Sequence, residues 1–416
     1  MRNNTLLKVL IAIALAIAAG TLTGTESGFA GITYYQLYQL FGQLFLNALT
    51  LVVVPLVAAS IITGAAKIGG EDSAGQLGLK IFGYFFGTSF LAIFVGWILA
   101  NLLQPGHFAS EGLAFADSKL LEIASQAKEG TFAKVEQIFL KIIPSNILLA
   151  ASQGQMLGLI FFSLLFGFFL SRIDKEPARV LIGFWQGIFQ VMMKMTQLVM
   201  TVLPFGVFAL VAKVVASTGL KSIFSVGYFF STVLLGLAIY MLVILPILLK
   251  FIAKVSPIAH FKAMLPALIT AFSTTSSAAT LPVTIECVEK KVGVSNRIAS
   301  FMLPLGASVN LAGSSLQVIV AVFTVAQIYG MELSLASQGI VFLMTLLLSF
   351  GMAGIPSASI ISIILILSTI GFPSDAIALI LAVERILDMF RTMVNVFSNS
   401  CCSVLVARSE KEILKI

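Results

Sequence analysis

Long runs without a single charged residue constrain this chain more than any other feature. Residues 27–66, 81–110 and 298–331 contain no Asp, Glu, Lys or Arg. Each exceeds the roughly 20 apolar residues that cross a bilayer core as a helix. Lipid offers no water to satisfy backbone N–H and C=O groups, so spanning segments are helices or closed barrels. Runs this long, with no apolar–polar alternation, read as helices. Composition agrees: 59% of the 416 residues are hydrophobic and 10% charged, too few polar groups to cover a soluble domain. The expected class is an all-α integral membrane protein.

The charged residues that remain mark the loops. Lys67 and Lys80 flank one turn, and Arg172, Lys175 and Arg179 another. Lys250, Lys254 and Lys262 form a third cluster, Lys290, Lys291 and Arg297 a fourth, and Arg408, Lys411 and Lys415 close the chain. Loops around Glu26, Glu332 and Asp375 hold almost no base. The positive-inside rule then puts both termini and the Lys250–Arg297 region on the cytoplasmic side of the cell's inner (plasma) membrane. Lys119, Lys128, Lys134 and Lys141 disagree, since their loop is expected outside; it is long and polar, where the rule is weak. The formal net charge of +7 therefore reports loop placement, and the bilayer rather than nucleic acid is the expected partner. Residues 1–20 have the basic start and apolar stretch of a secretory signal, but hydrophobic spans follow directly, and the segment reads as a retained first helix. Cys287, Cys401 and Cys402 lie in apolar sequence without metal-ligand spacing, which argues against a zinc site or disulfide framework.

Eight spans are expected near residues 6–21, 32–66, 79–103, 154–171, 179–216, 223–249, 298–329 and 375–407. Two segments are left over. Residues 263–285 lie between two basic clusters of the same side and hold Ser273-Thr274-Thr275-Ser276-Ser277 between Pro266 and Pro282. Residues 333–374 are charge-free and broken at Gly351-Met352-Ala353-Gly354-Ile355-Pro356-Ser357. Hydroxyl-rich or broken backbone at membrane depth is tolerated where protein or a wet cavity surrounds it. Both segments read as re-entrant hairpins, each followed by a long span, in opposite orientation. That is the pattern of an inverted repeat with its site at the repeat interface. The other reading is two Ser/Gly-rich helices packed through small residues, giving ten full spans. The span at 298–329 is interrupted by Gly306-Ala307-Ser308-Val309-Asn310-Leu311-Ala312-Gly313-Ser314-Ser315, which fits either an unwound, ligand-facing break or a small-residue packing face.

Glu384, Asp388, Arg391, Asn395 and Asn399 are spaced 4, 3, 4 and 4 apart, so all five share one helical face. Ionisable groups inside a membrane are costly unless paired, and they mark pathways and sites. An Arg offers a planar fork to a carboxylate and an Asp suits an ammonium. Asp388 and Arg391 together fit a substrate with an acidic side chain and an amine, and they are close enough to neutralise each other without one. The alternative is a buried ion pair that fixes helix register, the role expected of Glu384 with Arg385.

These residues resemble the dicarboxylate/amino-acid:cation symporter family, the glutamate-transporter fold. The resemblance rests on residues 274–284 (TTSSAATLPVT), the break at 310–315, Ala353-Gly354-Ile355-Pro356, and residues 388–396 (DMFRTMVNV), with weaker matches at 84–89 and 203–208. It covers essentially the whole chain. It implies eight transmembrane helices plus two re-entrant hairpins, inverted repeats, a homotrimer and an elevator-type transporter. Residues 1–76 would be scaffold helices one and two, 77–110 transport-domain helix three, 111–220 scaffold helices four and five with an external loop, and 221–416 the rest of the transport domain.

The resemblance also implies roles. The substrate amine would meet Asp388, its side-chain carboxylate Arg391, and its main-chain carboxylate Asn395. Ser277, Ser314, Thr392, Gly354 and Ile355 would complete the pocket, Ser314 standing where a threonine is usual. The departures bear on ions. Ala312 and Asn399 replace two aspartates that hold sodium in the family, and Phe85 replaces a tyrosine. Ser357 and Ser359 replace glycines of the second hairpin. A residual sodium set of Thr88, Ser89, Gly306, Ser308, Asn310 and Asn399 remains, and one site of hairpin carbonyls with Ser308 needs no carboxylate. The expected function is secondary transport of aspartate or glutamate, with no cofactor and with sodium coupling reduced or absent and protons a candidate coupling ion. Glu384 is the extra protonatable carboxyl. Alternatives are a dicarboxylate or neutral amino-acid carrier, or an uncoupled carrier or anion channel on the same fold. No nucleophile–base pair or metal cluster suggests an enzyme.

Overall fold

The computed structural model describes residues 3–68, 72–107, 143–152, 156–218, 221–331, 333–350, 358–372 and 377–416. In chain order the helices are α1 (Asn3–Thr23), α2 (Tyr34–Leu51), α3 (Val53–Ile68), α4 (Asp72–Leu103), α5 (Ile147–Ser152), α6 (Met156–Leu170), α7 (Lys175–Thr201), α8 (Leu203–Thr218), α9 (Lys221–Ile239), α10 (Pro257–Thr274), α11 (Ser277–Glu286), α12 (Asn296–Val309), α13 (Ala312–Ile328), α14 (Leu335–Ser349), α15 (Ala358–Thr369) and α16 (Ala378–Ser409). α9 continues to Ala253 through π turns at Tyr240–Ile244 and Leu249–Ala253, with one α turn between them. A short antiparallel hairpin, β1 (Gly28–Phe29) with β2 (Ile32–Thr33), joins α1 to α2.

Among the described residues, Gly78–Leu103, Val226–Ala253 and Asn296–Ile328 are long and apolar enough to cross a membrane, and shorter apolar helices accompany them. The expected span at 179–216 is instead two helices, α7 and α8, bent by 58°. Pro204, second residue of α8, lacks the N–H that would continue the ladder of α7. The expected span at 32–66 likewise divides at Val52 into α2 and α3, and Pro55 falls in the first turn of α3, where a missing N–H costs nothing.

Two sets of helices pack within themselves and meet where α8 lies on α16. α1 and α2 lie on α8, and α3 on α6 and α7. α4 lies along α13, and α16 packs on α9, α10, α12 and α13. α13 is the core of the second set, with nearly every residue buried. It approaches α4 closely at Gly96, where a Cβ would stand 2.7 Å from Ile319 Cγ2 and 3.0 Å from the Leu316 carbonyl oxygen. Only a residue without a side chain permits that spacing.

The hydroxyl-rich segment becomes a helical hairpin. α10 ends at Thr275, whose φ of 49° is left-handed, and its N–H closes onto the Ala271 carbonyl. Ser276 is extended, and its side chain caps α11 by accepting the Ala279 N–H at 3.2 Å, as an N-terminal serine does. α10 and α11 then pack on each other, and α11 on α16. α14 and α15 also pack on each other and on α13; residues 351–357, between them, lie outside the described residues. The break in the span at 298–329 falls at Asn310 and Leu311, between α12 and α13.

Candidate functional site

α16 brings its polar stripe into the protein interior. Glu384, Asp388, Arg391, Asn395 and Asn399 are each at most 4% exposed. Charges so deep persist only if paired and hydrogen-bonded, and each finds its partner on the same helix or on elements packed against it. Three layers follow one another along the helix.

The first layer centres on Arg391. Its Nη2 lies 2.7 Å and its Nε 3.0 Å from Asp388 Oδ1. On the other edge, Nη1 reaches Glu384 Oε1 at 2.7 Å, donates to Gln317 Oε1 of α13 at 3.0 Å, and donates to Ser359 Oγ of α15. Glu384 also accepts Gln317 Nε2 at 2.5 Å and the Ser359 hydroxyl at 2.9 Å. The guanidinium is thus held between two carboxylates, one turn before it and two turns before it. Arg385 Nη1 stands 3.4 Å from Asp388 Oδ2, so the four ionised groups sum to zero formal charge. The expected Glu384–Arg385 pair is corrected: adjacent residues point about 100° apart on a helix, while Glu384 and Arg391 lie two turns apart on one face. Gln317 and Ser359 are partners that sequence reading missed as such. An amide within the charge-free span at 298–331, one of three there with Asn310 and Gln327, was the available signal for Gln317.

The second layer is Asn395. Its Oδ1 accepts the Gly313 N–H at 2.7 Å and its Nδ2 donates to Ser314 Oγ at 3.2 Å. α13 has no side-chain cap of its own at Leu311, so Asn395 caps it from α16 and meets a free N–H of its first turn. Gly313 admits no side chain, since a Cβ would lie 2.9 Å from the Arg391 carbonyl oxygen. Thr392 Oγ1 turns back to the Asp388 carbonyl at 2.6 Å. Ser277 is buried at the first residue of α11.

The third layer is neutral. Asn310 Nδ2 donates to Asn399 Oδ1 at 2.9 Å, while its Oδ1 accepts Ser89 Oγ at 3.1 Å and lies 3.5 Å from Thr88 Oγ1. Cys402 Sγ approaches Thr88 Oγ1 at 3.4 Å, and the Tyr240 hydroxyl bonds the Thr88 carbonyl and Ser398. Thr88, Ser89, Asn310 and Asn399 of the residual ion set therefore come together, with the Gly306 backbone beside Asn399. Ala312, where a carboxylate would stand, is buried and apolar. A hard cation needs oxygen ligands and, in a dry site, charge compensation. Here these side chains bond one another, and among the described residues no carboxylate bonds any of them. The Ser308 side chain, Gly354 and Ile355 lie outside the described residues.

Apolar helices enclosing a charge-paired stripe on a broken-helix core define a membrane transporter. The family model for the sodium:dicarboxylate symporter family matches residues 6–409, and the chain belongs to that family. It is 36% identical over 372 residues to a proton/sodium-glutamate symport protein of Bacillus subtilis (strain 168), covering 89% of this chain and 86% of that one. It is 32% identical to a proton/glutamate-aspartate symporter of Escherichia coli (strain K12), covering 97% and 92%. Excitatory amino acid transporter 3 of Homo sapiens is 28% identical over 100% of this chain and 87% of its own. As a member of a symporter family the protein is a transporter and not an enzyme.

Proposed function

We propose that the protein carries aspartate or glutamate across the inner (plasma) membrane by secondary transport, with sodium coupling reduced or absent and protons supplying the gradient. One observation carries this reading: a buried arginine and aspartate, 2.7 Å apart on one helix face, at the meeting of α13, α15 and α16. Asp388 takes the substrate amine and Arg391 its side-chain carboxylate. Asn395, with Ser314 beside it, takes the main-chain carboxylate through its amide N–H. Ser277 and Thr392 complete the pocket in this reading, and Gly354 and Ile355 are assigned to it by the family resemblance alone. The bacterial relatives are a proton/sodium-glutamate and a proton/glutamate-aspartate symporter, which supports the substrate class and a proton among the coupling ions; the first of them names sodium as well.

The neutral third layer supports weak dependence on sodium. Asn310 and Asn399 supply to each other the bond that an ion would otherwise give, so this part of the site is closed without one. Ser308 with hairpin carbonyls is the remaining seat for a single sodium ion.

In the same reading α10–α11 and α14–α15 are re-entrant hairpins, and eight helices span the membrane with both termini cytoplasmic. α4 and α9–α16 form a transport domain that slides as an elevator against α1–α3 and α6–α8 within a homotrimer. The two internally packed helix sets support that division. The experiment is counterflow in proteoliposomes with labelled aspartate, competed by glutamate, serine and succinate, with sodium and pH gradients imposed separately. Saturable exchange blocked by glutamate is expected. Conductance without exchange overturns the carrier reading, exchange blocked only by serine or succinate overturns the substrate, and steep multi-ion sodium dependence overturns the coupling.

A further inference from the structure

Arg391 as it stands is not ready for a substrate carboxylate. A carboxylate bound to both arms of the guanidinium needs an N–H from Nη1 and one from Nη2. Nη2 has one bond, to Asp388. Nη1 has three acceptors around two protons: Glu384 Oε1, Gln317 Oε1 and Ser359 Oγ. The arriving carboxylate needs one of these N–H groups, and of the three acceptors only Glu384 carries a negative charge that opposes its arrival, so Glu384 is the partner that substrate binding drives off.

We propose that Glu384 is the proton seat of this carrier: substrate binds Arg391 together with one proton, which goes to the carboxylate that the substrate displaces. This rests on the acidic-substrate reading above. Three observations converge on it. Displaced as an anion, Glu384 would be a buried carboxylate beside a second one, Asp388, and beside the substrate's own, which is prohibitively costly. Displaced as an acid, it becomes an O–H donor; the Ser359 hydroxyl and the Gln317 amide, which now donate to it, each carry an oxygen able to accept that O–H once turned toward it. Charge also balances: an aspartate or glutamate zwitterion brings one net negative charge into a cluster whose formal charges sum to zero, and one proton restores neutrality. The charged groups facing Glu384 are Arg391 and Asp388 of its own helix; α13 presents Gln317 and α15 presents Ser359, both neutral. Binding that takes up one proton is strongest while the free site is protonated. It weakens as pH rises, by about tenfold per unit once Glu384 is ionised in the free protein.

The test uses the full chain, purified and reconstituted, as wild type, E384Q and E384D. In the wild type, aspartate affinity should fall as pH rises, and an inward proton gradient should concentrate labelled aspartate. In E384Q, which keeps the shape and neutral charge of the protonated acid, affinity should no longer vary with pH. Whatever exchange E384Q retains should no longer concentrate substrate under a proton gradient. E384D should keep both pH effects. E384Q with the pH dependence and proton-driven accumulation of wild type overturns the assignment to Glu384. Wild-type protein that exchanges no acidic amino acid at any pH overturns instead the substrate reading on which it rests.

Discussion

Removing the Arg391 guanidinium tests the site most directly. A hydrogen bond to a charged group contributes about 1.5–3 kcal/mol net, so a two-armed bond to a substrate carboxylate contributes about 3–6 kcal/mol. Part of this is offset by the Nη1 bond to Glu384 that must first break, and the lower end applies. Each 1.4 kcal/mol is a factor of ten; R391A should therefore weaken aspartate and glutamate by roughly 10²-fold or more. Serine, which has no side-chain carboxylate, should lose far less. The substitution also leaves Glu384 and Asp388 buried without their shared cation, a change that costs about 3–5 kcal/mol when a buried pair is broken. The double variant E384Q/R391A removes one of the two carboxylates, and Arg385, 3.4 Å from Asp388, remains to balance the other. It should recover much of the thermal stability lost in R391A while still failing to bind aspartate. The assay is competition of labelled substrate in proteoliposomes by aspartate, glutamate and serine, with unfolding midpoints in detergent as the folding control. Aspartate affinity within about threefold of wild type, or equal losses for serine and aspartate, would refute the role given to Arg391.

G313A should destabilise the protein by about 1–3 kcal/mol, because its Cβ would stand 2.9 Å from the Arg391 carbonyl oxygen; an unchanged unfolding midpoint would contradict the close approach. N399D should replace the neutral partner of Asn310 with a carboxylate and make aspartate affinity rise with sodium, read by titrating sodium at fixed pH; no sodium response would show that charge at this position is not what ion binding lacks. Lys80 lies 2.5 Å from Glu410, at the end of α16, and holds that carboxyl below its ordinary value. A lowered value in the folded state means a contribution present above the unfolded pKa and lost as pH falls through the folded one. K80M should therefore remove part of the acid sensitivity of the unfolding midpoint below about pH 5 and change nothing at the most acidic end, measured by thermal scans across pH.

The α16 stripe was legible because five polar residues at helical spacing interrupt apolar sequence, and the break before α13 because Asn310–Ser315 interrupts an otherwise apolar run. A break at the hydroxyl run was expected, and α10 ends there; that Ser276 caps the helix that follows was not read from the sequence. What the sequence withheld depends on distant elements meeting. Gln317 and Ser359 reach Arg391 from α13 and α15, 74 and 32 residues away, and no local pattern pairs them. The bend between α7 and α8 was hidden because Pro204 sits in continuous apolar sequence, where hydropathy does not register a missing N–H. Glu384 was assigned to its neighbour in sequence rather than to its neighbour on the helix face.

The cap that Asn395 places on α13 has a consequence for molecular selection. The Gly313 N–H can only donate, so the oxygen of the Asn395 amide is fixed toward it, and the amide cannot turn over without leaving that N–H bare. The edge left for a ligand is the NH₂ edge, one arm of which already leans on Ser314. A side chain that by composition could greet either an acid or an amine is thereby made one-handed in its polarity. Asp388, at the other end of the pocket, is equally one-sided in the opposite sense. In the proposed reading, a substrate with an amine and a carboxylate on the same carbon would meet two groups of opposite, fixed polarity, and its head-to-tail orientation would be set by a helix terminus rather than by its size.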